Sequence, residues 1–258
     1  MTESLFYFLS KPSLWFSSQK RIILLSHMRS RSSVLSHIVG SSPHISGYSE
    51  LSISYAKYSG LLKQKLVLSK DDAAFDKKAF LFDKILHNAF DFDGVRYLNG
   101  SRCKNLIMLR DPESTIRSIV TMGRKNGNPK YSNVEWAVHY YTERVTKLVE
   151  IGSQLNEFFF IESDRIVDDT EALLHELSGF IGLPSALSSE YRQFSRTGQR
   201  RSGDTSVHIH AGRVVRTTTN EHLTLPKGAL ASARMVHRQA INRLSRAACN
   251  GNLQTVAV

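Results

Sequence analysis

Apolar residues in this chain come in two rhythms. Short uninterrupted runs, Ile22-Ile23-Leu24-Leu25 after Arg21, Phe80-Leu81-Phe82, Asn105 to Leu109 and Phe158 to Ile161, have the look of strands buried on both faces of a parallel sheet. Between them apolar positions recur at helical spacing. Val34, Leu35, Ile38 and Val39 form one such stripe, closed by Gly40. Val134, Val138, Tyr141, Val145, Leu148 and Val149 form another, and Leu173, Leu174, Leu177, Phe180 and Ile181 a third, stopped by Gly182 and Pro184. Strands alternating with helices predict an α/β fold with a mostly parallel central sheet flanked by helices. No repeat and no Pro/Gly/Ser linker divides the 258 residues, so a single domain is expected, with a basic amphipathic helix over 229–248 and a frayed tail.

In open α/β sheets ligands bind beyond the carboxyl ends of the strands, so the residues just after each strand are where chemistry is sought. The first strand is followed by His27-Met28-Arg29-Ser30-Arg31-Ser32-Ser33 and a helix. Backbone N–H groups at such a turn, the helix dipole and two hydroxyls make an anion cradle, and an arginine at its start lies beside the anion. The loop alone reads equally well as a serine-rich helix start. It is no Walker loop, because G-x-x-x-x-G-K-[ST] is absent. The third strand ends in Leu109-Arg110-Asp111-Pro112, where proline suits the first helical position, and Ser118 lies two turns into that helix. A guanidinium fork and that hydroxyl together suit one phosphate.

The two segments in this order resemble the sulfotransferases that use 3′-phosphoadenylyl sulfate (PAPS). A third stretch, Phe159 to Asp169 leading through a leucine-rich helix to Gly182-Leu183-Pro184, also resembles them, so the likeness spans about 20–185. The resemblance implies a P-loop-NTPase-like sulfotransferase fold. It implies that Arg29, Ser30, Arg31, Ser32 and Ser33 hold the 5′-phosphosulfate, that Arg110 and Ser118 hold the 3′-phosphate, and that PAPS is consumed to give adenosine 3′,5′-bisphosphate without a metal. A late basic loop closes over the 3′-phosphate in that family, and Arg200-Arg201-Ser202-Gly203 is the stretch most similar to it. Where the family usually has glycine this chain has Arg31. Either that position keeps ordinary dihedrals, or the Arg31 side chain joins the anion site.

The resemblance also places a base beyond the first helix and Pro43, on Glu50. A carboxylate facing the open end of the sheet is an apt general base, with His87 as its rival. Arg29 and Lys84 are the candidates for balancing charge on the transferring group. The segment from Leu51 to Lys70, with Tyr55 and Tyr58, is expected to line the acceptor side and to suit a small-molecule, carbohydrate or lipid hydroxyl.

The formal net charge of +11 suits a nucleic acid, an anionic surface or a polyanionic ligand, and does not choose between them. The basic run Arg192, Arg196, Arg200, Arg201, Arg213 and Arg216 has neither aromatic interleaving nor a DNA-reading motif, which disfavours nucleic acid. The stretch over 193–219 reads as disordered or as a loop ordered by an anion. His208-Ile209-His210 lacks a third ligand at a metal-binding spacing, so a solvated pair is expected and no metal. The rival enzyme class, a P-loop-like nucleotide kinase, lacks its lysine. Two cysteines, Cys103 and Cys249, make no disulfide framework, and the apolar run Leu5 to Leu9 is too short for a signal or a span; a cytoplasmic protein is expected.

Overall fold

The computed structural model describes residues 18–90, 92, 95–199, 207–216, 223–226 and 228–250. Five strands, β1 (Lys20–Leu25), β2 (Ile45–Ser46), β3 (Phe80–Ile85), β4 (Cys103–Leu109) and β5 (Phe159–Glu162), form one sheet in the order β2-β3-β1-β4-β5. Every pairing is parallel, with Ile22 opposite Phe82 on one side and Lys104 on the other. Because β1 is central, its side chains alternate between two cores. Ile23 and Leu25 face one, Ile22 and Leu24 the other, and all four are fully buried.

Eight α-helices are described: α1 (Ser32–Ser41), α2 (Tyr58–Asp71), α3 (Pro112–Lys125), α4 (Pro129–Ser132), α5 (Val134–Gly152), α6 (Arg165–Asp168), α7 (Thr170–Ile181) and α8 (Ala231–Ala247). One face of the sheet carries α1 and α7 through Leu35, Ile38, Leu173 and Leu177. The other carries α3, α5 and α8 through Ile116, Val145, Leu148 and Leu244. The fold is the single-domain α/β architecture expected, and the predicted strands and long helices are present within a few residues.

Some details differ from expectation. Gly40 does not end its helix. It lies inside α1, where an added Cβ would stand 2.6 Å from the Gly47 carbonyl and from the Tyr48 side chain, so close approach and not termination requires glycine there. Residues 58–71 form a helix where only an acceptor-side segment was expected. At the outer edge of β5, the Cys249 N–H donates to the Phe158 carbonyl (3.0 Å). The Asn250 side chain both accepts from the Phe160 N–H (2.9 Å) and donates to its carbonyl (2.8 Å).

Candidate active site

The carboxyl ends of β1, β3 and β4 open onto a cavity of about 260 Å³. Its walls bring together most of the residues picked from the sequence: Arg29, Arg31, Ser32, Ser33, Glu50, His87, Arg110 and Ser118. Ser30 is fully buried beneath the loop, where its hydroxyl bonds to that of Ser26 (2.8 Å), and Ser26 in turn donates to the Met108 carbonyl (2.7 Å). The loop after β1 is thereby fastened to β4.

Left-handed residues bracket Ser30: φ is 60° at Arg29 and 66° at Arg31. Such alternation turns successive N–H groups toward one concavity, and here it runs straight into α1, whose N-cap residue Arg31 makes no side-chain cap hydrogen bond. Arg31 therefore does not have ordinary dihedrals. It adopts the conformation that favours glycine, while its guanidinium lines the cavity and pairs with Asp164.

The two segments picked from the sequence meet. Arg29 Nε donates to Ser118 Oγ at 2.9 Å, and Arg110 Nη1 donates to the Arg29 carbonyl at 3.0 Å. Arg110 Nε is buried without a hydrogen-bond partner among the described residues. Burial, followed by repulsion from Arg31, brings the Arg110 guanidinium down to about 10, which leaves it cationic at neutral pH. A crowded cation with an orphaned donor is the condition an incoming phosphate relieves.

Lys84, on β3, is buried, and its Nζ donates to Ser33 Oγ at 3.1 Å. Glu50 follows β2 in a largely desolvated position. Burial raises its pKa above the ordinary carboxylate value, while Lys84 and then Arg144 pull it back. His87 lies on the same wall, pushed down to about 4 by burial and by Arg144 and Lys130, so it is neutral at physiological pH. Both candidate bases thus face one cavity.

Several participants escaped the sequence reading. Arg144, fully buried on α5, donates to the Ser26 carbonyl (2.9 Å), the Ile85 carbonyl (3.0 Å) and Asn88 Oδ1 (2.7 Å), tying the ends of β1 and β3 together. Its signal was present: an arginine standing between Tyr141 and Val145 in an otherwise apolar stripe. Tyr140 accepts from the Met28 N–H (2.9 Å) and donates to the Leu86 carbonyl (2.8 Å). His27 accepts from the Arg110 N–H (3.1 Å), and Tyr141 donates to the Arg110 carbonyl (2.7 Å).

The late basic region supplies the far wall through Tyr191, His208, Ile209 and Arg213. It is held against α1 by an aromatic clasp. Phe194 stacks on Tyr48 (3.9 Å between centroids, 8°), and His37 packs edge-on against Tyr48, Tyr191 and Phe194. His37 also bonds to the Ser33 carbonyl (2.8 Å) and Thr197 Oγ1 (2.9 Å). Arg200 and Arg201 lie outside the described residues, so Arg213 is the late arginine seen at the cavity. His208 and His210 sit on a short 3-10 turn, not on a strand, and both are exposed. Among the described residues no group of three His, Cys, Asp or Glu side chains could hold a metal ion, and no helix is long and apolar enough to cross a membrane.

The fold defined by this sheet order and strand-end cavity is that of sulfotransferase domains. The sulfotransferase domain from the curacin biosynthetic pathway superimposes with a TM-score of 0.59 at 16% identity, covering 86% of this chain and 96% of that one. The sulfotransferase domain of the Synechococcus PCC 7002 olefin synthase (14% identity, 86% and 94% covered) and a sulfotransferase from Alicyclobacillus acidocaldarius (12%, 89% and 95%) each match with a TM-score of 0.48. No protein-family model and no curated protein sequence matches the chain.

Proposed function

We propose that the protein is a sulfotransferase that moves the sulfuryl group of PAPS to an acceptor hydroxyl. The observation that carries this reading is the meeting of two anion-binding arms in one cavity, Arg29 to Ser118 and Arg110 to the Arg29 carbonyl. A donor bearing phosphates at both ends of one nucleoside needs two such arms; a mononucleotide needs one. In this reading the loop from Arg29 to Ser33 and the α1 N-terminus take the 5′-phosphosulfate. Arg110 and Ser118 take the 3′-phosphate, with Arg200 and Arg201 expected to close over it.

Bound there, PAPS supplies the activated sulfuryl group, and the protein's part is to orient it, balance charge and handle one proton. Glu50 takes the proton of the acceptor hydroxyl as the new bond forms. Lys84 and Arg29 offer positive charge to the oxygens around the sulfur, preorganised in a site screened from water. His87, neutral beside Glu50, is the rival base. The acceptor is a small-molecule, carbohydrate or lipid hydroxyl entering past the segment from Leu51 to Lys70. We place the reaction in the cytoplasm, where the free thiols of Cys103 and Cys249 stay reduced.

Thermal unfolding with adenosine 3′,5′-bisphosphate, AMP, ADP and ATP tests the donor reading. The bisphosphate should raise the midpoint most, and increasingly with concentration. Equal or greater stabilisation by ATP would sink it.

A further inference from the structure

We propose that His27 is a positioning residue that, with Tyr141, sets the distance between the two phosphate arms by gripping the main chain of Arg110 from both sides. The proposal rests on the donor-site reading above.

The need for such a grip follows from where the ladder stops. Strand β4 ends at Leu109, whose carbonyl still accepts from the Ser163 N–H (2.8 Å). Arg110 is the first residue beyond that ladder, and side chains hold its peptide groups instead of a strand. Its N–H donates to His27 Nε2 at 3.1 Å, and its carbonyl accepts from the Tyr141 hydroxyl at 2.7 Å. The two gripping rings meet edge to face, with centroids 5.0 Å apart and planes at 70°. His27 belongs to the loop that carries Arg29, and Tyr141 to α5, so Arg110 is clamped between the first anion arm and a core helix.

Only one tautomer of His27 serves. Nδ1 lies 2.9 Å from the Met28 carbonyl and must carry the proton, which leaves Nε2 as the acceptor for Arg110. The ring is fully buried, and burial drives its pKa down to about 3, so the acceptor persists at any pH where the protein would work. From Arg110 the path returns to the same loop, because its Nη1 donates to the Arg29 carbonyl and Arg29 Nε reaches Ser118. The backbone grip and the side-chain contact therefore close a ring between residues 27–29 and Arg110. That ring fixes where the guanidinium stands relative to the donor loop, and so the span between phosphates that the cavity accepts.

A merely structural histidine would lower stability without altering which ligand is preferred. The test is titration calorimetry on the full chain with adenosine 3′,5′-bisphosphate and AMP, for wild type, His27→Leu, His27→Gln and Tyr141→Phe. Leucine fills the space and cannot accept, whereas the glutamine carbonyl can. Loss of one such hydrogen bond should reduce the preference for bisphosphate over AMP about tenfold in His27→Leu and in Tyr141→Phe, with AMP affinity little changed and much of the preference kept in His27→Gln. If the preference stays at the wild-type ratio in the folded leucine and phenylalanine variants, the proposal is overturned. Should His27→Leu not fold, Tyr141→Phe alone decides, since it deletes a single hydroxyl. A wild type that does not itself prefer the bisphosphate overturns the donor reading, and this proposal with it.

Discussion

The buried ammonium of Lys84 on β3 donates to the hydroxyl of Ser33 at the start of α1, joining a neighbouring strand to the anion loop across 3.1 Å. Replacing Lys84 by methionine keeps the length and removes the charge. Turnover should fall about 10²–10³-fold, the range for losing one preorganised charge donor, while affinity for adenosine 3′,5′-bisphosphate changes little. Because Lys84 also draws the Glu50 pKa down, the acid limb of the pH–rate profile should move to higher pH in Lys84→Met. A fall in affinity matching the fall in turnover would make Lys84 a binding residue instead.

As the proposed base, Glu50 would have to be ionised to accept a proton, and burial holds its pKa above the ordinary carboxylate value. Activity should therefore rise with pH along a limb lying above that of an exposed glutamate. Glu50→Gln should erase the limb and lower turnover about 10²–10⁴-fold at unchanged bisphosphate affinity. His87, titrating near 4, cannot produce a limb at higher pH, and His87→Ala should cost much less. Collapse of the histidine variant with near-normal Glu50→Gln would reverse the two roles.

Arg110→Ala removes a buried guanidinium whose Nε has no hydrogen-bond partner among the described residues. A charge-assisted contact contributes about 1.5–3 kcal/mol, so the variant should lose most of its discrimination between adenosine 3′,5′-bisphosphate and AMP. Competition binding of the two nucleotides reads this directly, and retained discrimination in folded protein would remove Arg110 from the site.

Arg31 occupies left-handed backbone at φ 66°. Arg31→Gly relieves that cost and should raise unfolding stability by about 1 kcal/mol, whereas the β-branched Arg31→Val should lower it. The ion pair with Asp164 is partly exposed and contributes little, so Asp164→Ala serves as the control. Urea unfolding of the three variants decides; a glycine variant less stable than wild type would contradict the backbone account.

Asp83 gives a pH signature in stability. It is fully buried on β3 and accepts from the Tyr55 hydroxyl, the Leu51 N–H (3.0 Å) and the Lys84 N–H (2.8 Å). Burial lifts its pKa from 3.8 to about 7. A carboxyl with a raised folded-state pKa contributes stability that is full below the unfolded value and is lost as pH rises through the folded one. Wild type should therefore lose stability relative to Asp83→Asn between about pH 4 and 7. Denaturation curves of both proteins across that window measure the difference, and parallel curves would refute it.

What the chain's pattern discloses depends on whether burial and polarity agree. Ile22 to Leu25 and the stripe of α5 are apolar where they are buried, so β1 and α5 were legible. The buried face of α2 includes Gln64 and Lys65, with Gln64 accepting from Arg21 Nε at 3.0 Å, and that polar pairing hides the helical period. Arg144 stood out as a charge within the α5 stripe, but its partners, the Ser26 and Ile85 carbonyls and Asn88 Oδ1, lie far from it in sequence and no pattern announces them. The loop after β1 and the stretch from Arg110 to Ser118 were readable as candidate anion sites because each is local in sequence. The grip on Arg110 was not, since His27 and Tyr141 reach it from 83 and 31 residues away. Arg213 was noticed only as one of a basic run, because nothing in its neighbourhood reports which arginine will line the cavity.

The Asn250 amide at the rim of β5 has a bearing on how the protein behaves in company. An open strand edge is a template on which another chain can lengthen the sheet, and β5, with Phe159, Phe160 and Ile161, is apolar enough to invite one. By offering one donor and one acceptor to Phe160, beside the Cys249 N–H on the Phe158 carbonyl, the Asn250 side chain imitates part of a next strand. Backbone groups of Phe158 and Phe160 that a neighbouring chain would need are thereby already taken, by residues far in the chain from the strand they cover.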